Sequence, residues 1–125
     1  MVPRKRKNIL LVDDDKALVK SIQAILESEG YLVEAAHTGE EALKKVEASE
    51  FDLILLDIKL PDIMGDEVAR KVRERKDETN IVLITAFPEF QECIDMLGLG
   101  ISEILLKPIP PDQLVSVAKY LVSSL

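Results

Sequence analysis

The stretch Phe51-Asp52-Leu53-Ile54-Leu55-Leu56-Asp57-Ile58-Lys59-Leu60-Pro61-Asp62-Ile63-Met64-Gly65 constrains the fold more than any other part of the chain. Its first half is a short apolar run bounded by polar residues, the pattern of a central strand buried on both faces of a parallel sheet. At Asp57 the character changes, because Pro61 and Gly65 follow and turn the strand into a constrained loop. Open α/β sheets bind their ligands at the carboxyl ends of strands, so Asp57 is the first candidate for chemistry.

The segments around this stretch alternate in period. Residues 8–12 form a second compact apolar run that ends in Asp13-Asp14-Asp15. From 16 to 29, Leu18, Ile22, Ile25 and Leu26 recur at helical spacing, and Gly30 supplies a left-handed stop. Residues 31–36 read as a strand, and Thr38 with Glu41 has the spacing of a capping box opening a helix on Ala42, Leu43 and Val46. Val68, Ala69 and Val72 mark a third helix, and residues 80–84 a strand that ends at Thr85. A weaker helical segment over 88–97 turns Phe90, Cys93, Ile94 and Leu97 inward, and 101–106 holds the last strand, closed by Lys107-Pro108. The final helix starts at Pro110 or Pro111, runs to Ser123 and carries Leu114, Val117, Ala118, Leu121 and Val122. Alternating strands and helices with short links predict an α/β fold, a parallel sheet covered by helices on both faces.

The 125 residues suit one domain, and with no Trp the core must be mostly Leu, Ile, Val and Ala. Acidic residues number 23 against 16 basic, a net charge of −7 that argues against broad contact with a nucleic-acid backbone. The one basic block, Arg4-Lys5-Arg6-Lys7, makes residues 1–7 a solvated tail in front of a domain spanning 8–125. Cys93 is the single cysteine, which excludes a disulfide framework and a cysteine-based metal site. With no membrane-length apolar run and no signal-peptide pattern, the expectation is a cytoplasmic protein without membrane attachment.

All strands of a parallel sheet point the same way, so residues just past their ends gather along one edge. Asp13 and Asp14 follow the first strand, Asp57 the third, Thr85 the fourth and Lys107 the fifth. Each alone has a structural reading. The aspartates suit a helix start, Asp57 a turn before proline, Thr85 a cap, and Lys107 an ordinary surface. Together they form a crevice of three carboxylates, a hydroxyl donor and a fixed cation, suited to a hard divalent ion and to placing a phosphoryl group on a carboxylate.

With these residues in view, the chain resembles the receiver domain of bacterial two-component response regulators over residues 8–122. Ile9-Leu10-Leu11-Val12-Asp13-Asp14 looks like the acidic start motif, Leu55-Leu56-Asp57-Ile58-Lys59-Leu60-Pro61 with Gly65 like the phosphoacceptor motif, Ile84-Thr85-Ala86 like the switch motif, and Leu105-Leu106-Lys107-Pro108 like the lysine motif. The resemblance implies a flavodoxin-like three-layer (βα)5 sandwich whose five-stranded parallel sheet has the order 2-1-3-4-5, a fold the chemotaxis receiver exemplifies. It also implies phosphoryl transfer from a sensor histidine kinase or phosphotransfer protein to Asp57, followed by hydrolysis. Mg2+ would be held by Asp13, Asp14, Asp57 and the Lys59 carbonyl. Lys107, Thr85 and the Ala86 amide would contact the phosphoryl group. Such a domain transforms only its own side chain, and is a signalling switch first.

Two departures stand out from the family pattern. Ile104 occupies the usual position of an aromatic switch residue, and Ile109 a frequent Phe position, so coupling from Thr85 to the output surface is expected to differ. Lys59 and Phe87, two residues beyond the acceptor and the threonine, are expected to slow dephosphorylation by contacting the phosphoryl group and restricting water. The last two helical segments and strand offer a dimer or docking face drawn from Leu114, Val115, Tyr120 and Val122, and a covalent output domain beyond residue 125 is the other route to a response. A phosphorylation-independent interaction module is the alternative. A flavin carrier lacks its phosphate loop here, a dehalogenase-like phosphatase would need a second aspartate where Lys59 stands, and no Gly-rich nucleotide motif is present.

Overall fold

The apolar runs pair as strands β1 (Asn8–Val12), β2 (Leu32–Ala36), β3 (Leu53–Asp57), β4 (Asn80–Thr85) and β5 (Ile101–Leu106). They build one parallel sheet in the order β2-β1-β3-β4-β5. The computed structural model describes residues 7–75, 78–86 and 98–122. Among these, four helices are present: α1 (Lys16–Ser28), α2 (Gly39–Ala48), α3 (Gly65–Glu74) and α4 (Pro111–Val122). The helical segment expected over 88–97, and Phe87 before it, lie outside the described residues.

Strand alternation splits the core in two. Leu10, Val12, Ile54, Leu56, Ile81 and Leu83 face α2 and α3, whereas Ile9, Leu11, Leu53, Leu55, Val82 and Ile84 face α1 and α4. Every residue of β3 is buried, as the unbroken apolar run requires of a strand covered on both sides. The apolar strands β1, β3 and β4 therefore form a rigid floor whose carboxyl ends cannot shift without disturbing both layers.

Local chemistry moved several boundaries. β2 begins at Leu32 because the Tyr31 amide is spent on α1: Gly30, at φ 96°, donates to the Glu27 carbonyl at 3.0 Å and Tyr31 to that of Leu26 at 3.3 Å. This closure is a Schellman motif, with Tyr31 packed in the same apolar layer as Leu26. On α1 the buried face is Val19, Ile22 and Leu26, with Leu18 and Ile25 at its margin. The capping box forms by half. Thr38 Oγ1 accepts from the Glu41 amide at 3.0 Å, but the Glu41 carboxylate accepts from His37 N at 2.6 Å, one residue before the cap. On α4, Leu114 and Val122 are buried against the sheet, which removes them from the expected docking face; Tyr120 is 83% exposed. Lys7, assigned to the tail, accepts a bond from the Leu32 amide at 2.9 Å.

Candidate functional site

Strand register brings the charged residues together. β1 and β3 end their pairing at Val12 opposite Leu56, so the next residues, Asp13 and Asp57, follow side by side. Asp57 pairs with Ile84, Thr85 pairs with Leu106, and Lys107 then begins the loop after β5. The Lys107 amide donates to the Thr85 carbonyl at 2.8 Å, and a cis bond joins Lys107 to Pro108. Three strand ends and one strand exit thus meet without a long loop.

Asp13 is fully buried, Asp57 is 6% exposed and Thr85 2%. Lys107 Nζ lies 2.6 Å from Asp13 Oδ2 and 3.1 Å from Asp57 Oδ2, a single ammonium shared by two carboxylates. Burial, with the Asp13 charge beside it, pushes the Asp57 carboxyl above the ordinary aspartate range, and neither Lys107 nor the Lys59 amide fully offsets this. Burial alone would lower Lys107, but its contacts with Asp13 and Asp57 outweigh that and hold the ammonium above its ordinary value. Lysine therefore stays charged across the physiological range, while Asp57 is short of compensation.

The expected site residues divide by exposure. Asp14, Lys59 and Ala86 are exposed at the mouth, and the Lys59 amide donates to Asp57 Oδ1 at 3.3 Å. Ile104 is half-buried against the α2 and α3 layer, and Phe87 lies outside the described residues.

Asp13, Asp14 and Asp57 each present an oxygen within 4.8 Å of the others. Asp13 Oδ2 has its ion pair but no well-aligned hydrogen bond, an expensive state for a buried carboxylate oxygen. An all-oxygen set, open to water at Asp14 and outnumbering its lysine, fits a hard divalent cation such as Mg2+.

Four further residues support the site; the sequence offered Asp15 as a helix start and Gly65 as part of a motif, whereas Asp62 and His37 were not singled out. Asp15 caps α1 through Leu18 N at 3.1 Å, and its own amide donates to Asp13 Oδ1 at 2.9 Å. Gly65 donates to the Ile58 carbonyl at 2.6 Å, and a Cβ there would stand 2.9 Å from Ile58 Cα and collide with the Asp57 carbonyl. Asp62 reaches across to α2, accepting from Gly39 N and Glu40 N at 2.8 Å each. His37 Nδ1 is 3.0 Å from the Asp13 carbonyl oxygen. The signal for His37 was available, since it follows β2 as Asp13 follows β1, and β2 is the neighbour of β1.

The chain matches the family described as the response regulator receiver domain over residues 9–119. It is 39% identical over 116 residues, 93% of the chain and 48% of the relative, to the alkaline phosphatase synthesis transcriptional regulatory protein PhoP of Bacillus subtilis. It is 36% identical over 108 residues, 86% of the chain and 48% of the relative, to the transcriptional regulatory protein DltR of Streptococcus agalactiae. The chain spans about half the length of these relatives. Among solved structures, a CheY-like response regulator receiver domain protein from Methanospirillum hungatei superposes with a TM-score of 0.92 at 36% identity, covering 95% of both chains. The response regulator TrrA of Thermotoga maritima, solved in complex with Mg2+-BeF, superposes with a TM-score of 0.83 at 36% identity, covering 92% of this chain and 98% of that one. Sequence, fold and the convergence of acids and lysine at one sheet edge agree: the chain belongs to the response regulator receiver domain family.

Proposed function

We propose that Asp57 is the phosphoacceptor, taking a phosphoryl group from a phosphohistidine of a sensor histidine kinase or phosphotransfer protein. The observation that carries this reading is the buried Asp57 carboxylate, flanked by Asp13 and by a lysine that bridges both acids. An Asp57 oxygen attacks phosphorus, and the new O–P bond forms as the P–N bond breaks. The bonding pair stays with the imidazole nitrogen, and the ring, protonated on its other nitrogen, leaves neutral. Later attack by water on phosphorus releases phosphate and restores the carboxylate.

The chain's own residues perform alignment and charge compensation, which is most of what phosphoryl transfer requires. Lys107 Nζ, already 3.1 Å from Asp57 Oδ2, is placed to follow the charge onto a phosphoryl oxygen. Asp13, Asp14, Asp57 and the Lys59 carbonyl would hold Mg2+, which would supply positive charge to the transferred group. Thr85 and the Ala86 amide donate to the remaining oxygens, and Thr85 movement biases a two-state equilibrium read through Ile104. Exposed Lys59, with Phe87, tunes the lifetime of the phosphoaspartate; unchanged decay in K59A and F87A would remove that role. Output passes through a surface that includes Tyr120 of α4 and Leu106 of β5, 83% and 53% exposed, toward a second copy or a linked output domain. The curated relatives, transcriptional regulators about twice as long as this chain, support the linked domain.

Intact mass after incubation with acetyl phosphate tests the core of the proposal. One added phosphoryl group in wild type, dependent on Mg2+ and absent from D57N, is the expected result. No adduct, together with no beryllofluoride binding, leaves the phosphorylation-independent module as the better reading.

A further inference from the structure

We infer that His37 is a positioning residue for the cation site, acting through the Asp13 carbonyl; the inference rests on the phosphoacceptor reading of that site. His37 follows β2, and its ring nitrogen Nδ1 lies 3.0 Å from the Asp13 carbonyl oxygen. A carbonyl oxygen only accepts, so the contact is a hydrogen bond when Nδ1 carries a proton, as it does in one neutral tautomer and in the imidazolium. The His37 backbone is itself held, because its amide donates to Glu41 Oε1 at 2.6 Å within the first turn of α2. A short chain of contacts thus runs from α2 through His37 to the backbone that turns between Asp13 and Asp14.

The value of this contact follows from how Asp13 is otherwise held. Its amide donates to the Ala36 carbonyl at 3.0 Å, its Oδ1 accepts from Asp15 N at 2.9 Å, and its Oδ2 pairs with Lys107 at 2.6 Å. The carbonyl is the one remaining polar group of the residue, and the peptide it belongs to joins the two candidate ligands Asp13 and Asp14. Rotation of that peptide would move both carboxylates at once. His37 supplies the donor that opposes this rotation, as outer donors around metal ligands commonly do.

Mg2+ affinity reads the inference directly, followed by amide chemical shifts or by calorimetry on the unphosphorylated chain. His37→Ala is expected to weaken Mg2+ binding about 10-fold, the lower end for loss of an outer partner of a metal ligand. His37→Asn, whose amide nitrogen stands near the position of Nδ1, should recover most of the affinity. Thr38→Ala is the control. It removes the cap bond to Glu41 N and lowers Tm through α2, yet touches nothing at Asp13, so its Mg2+ affinity should equal that of wild type. Equal affinity in His37→Ala and wild type overturns the inference, as does an equal loss in Thr38→Ala, which would assign the effect to a loosened helix. Failure of wild type to bind Mg2+ at all would instead overturn the reading of the site.

Discussion

The two edges of the sheet each hold a cation in a polar setting, and they use it in opposite ways. At the amino edge, Arg73 of α3 donates to the carbonyls of Leu99 at 2.6 Å, Thr79 at 2.8 Å and Gly100 at 3.2 Å, joining the entries of β4 and β5. At the carboxyl edge, Lys107 faces two carboxylates, with a third, that of Asp14, nearby. Carbonyl dipoles of three residues meet the planar fork of the guanidinium and tie two strand entries together, which makes the arginine site a structural one. One ammonium against three carboxylates leaves negative charge in excess, and that excess is what a cation and a phosphoryl group can use. Charge alone does not mark function; uncompensated charge at a fixed geometry does.

Asp57→Asn sharpens the comparison most. It should abolish phosphoryl uptake and, in EDTA, raise Tm, because a buried carboxylate beside Asp13 is held at a cost to the fold. A lower Tm for D57N would show that the acid is held at a net gain to the fold. Gly65→Ala comes next: a Cβ 2.9 Å from Ile58 Cα must displace backbone at the acceptor, so a loss of about 3 kcal/mol by chemical denaturation and slower phosphoryl uptake are expected. Arg73→Ala should cost about 2 kcal/mol through its lost charged hydrogen bonds while leaving Mg2+ affinity unchanged. A change in that affinity would break the separation of the two edges.

Smaller effects test the loop between the edges. Asp62→Ala should cost about 1 kcal/mol, as loss of a cap bonding two helix amides does, and Asp62→Asn, which keeps one of the two acceptor oxygens, less. Desolvation raises the Asp62 carboxyl, but the amides of Glu40, Gly39, Ile63 and Asp62 itself outweigh it and hold the group below the ordinary 3.8. A carboxyl lowered on folding stabilises the protein above its unfolded value and loses that contribution as pH falls through its folded value. The stability gap between wild type and D62N should therefore be full at neutral pH and shrink below 3.8; a gap that widens on acidification would exclude the capping role. The exposed Glu40–Lys44 pair, 3.7 Å apart one helical turn from each other, should matter least, about 0.3 kcal/mol by double-mutant cycle.

How far the site was legible in the sequence varied with how local its cause was. Asp57 and the aspartates after β1 could be read directly, because an apolar run ending in acid is a one-dimensional signal of a buried strand meeting a crevice. Thr85 and Lys107 needed one further step, the common direction of parallel strands. His37 and Asp62 were not anticipated: their partners lie 24 and 22 to 23 residues away, and although His37 stands at a strand end, no motif names either residue. Glu41 shows the same limit at close range, since its spacing promised a bond to the Thr38 amide and the structure gives that bond to His37.

By itself, the order of apolar and amphipathic segments determined the strand count, the parallel direction and the edge at which chemistry collects, because burial of a periodic face is a property of neighbouring residues. Only the tertiary structure decided which partners each polar group took. The register that sets Asp13 beside Asp57, the lysine shared between them, and the bonds from His37 and Asp62 all depend on distances between segments remote in the chain. Hydrophobic burial tolerates ångström shifts, whereas hydrogen bonds and ion pairs do not, so the core was readable as a pattern and the site only as a geometry.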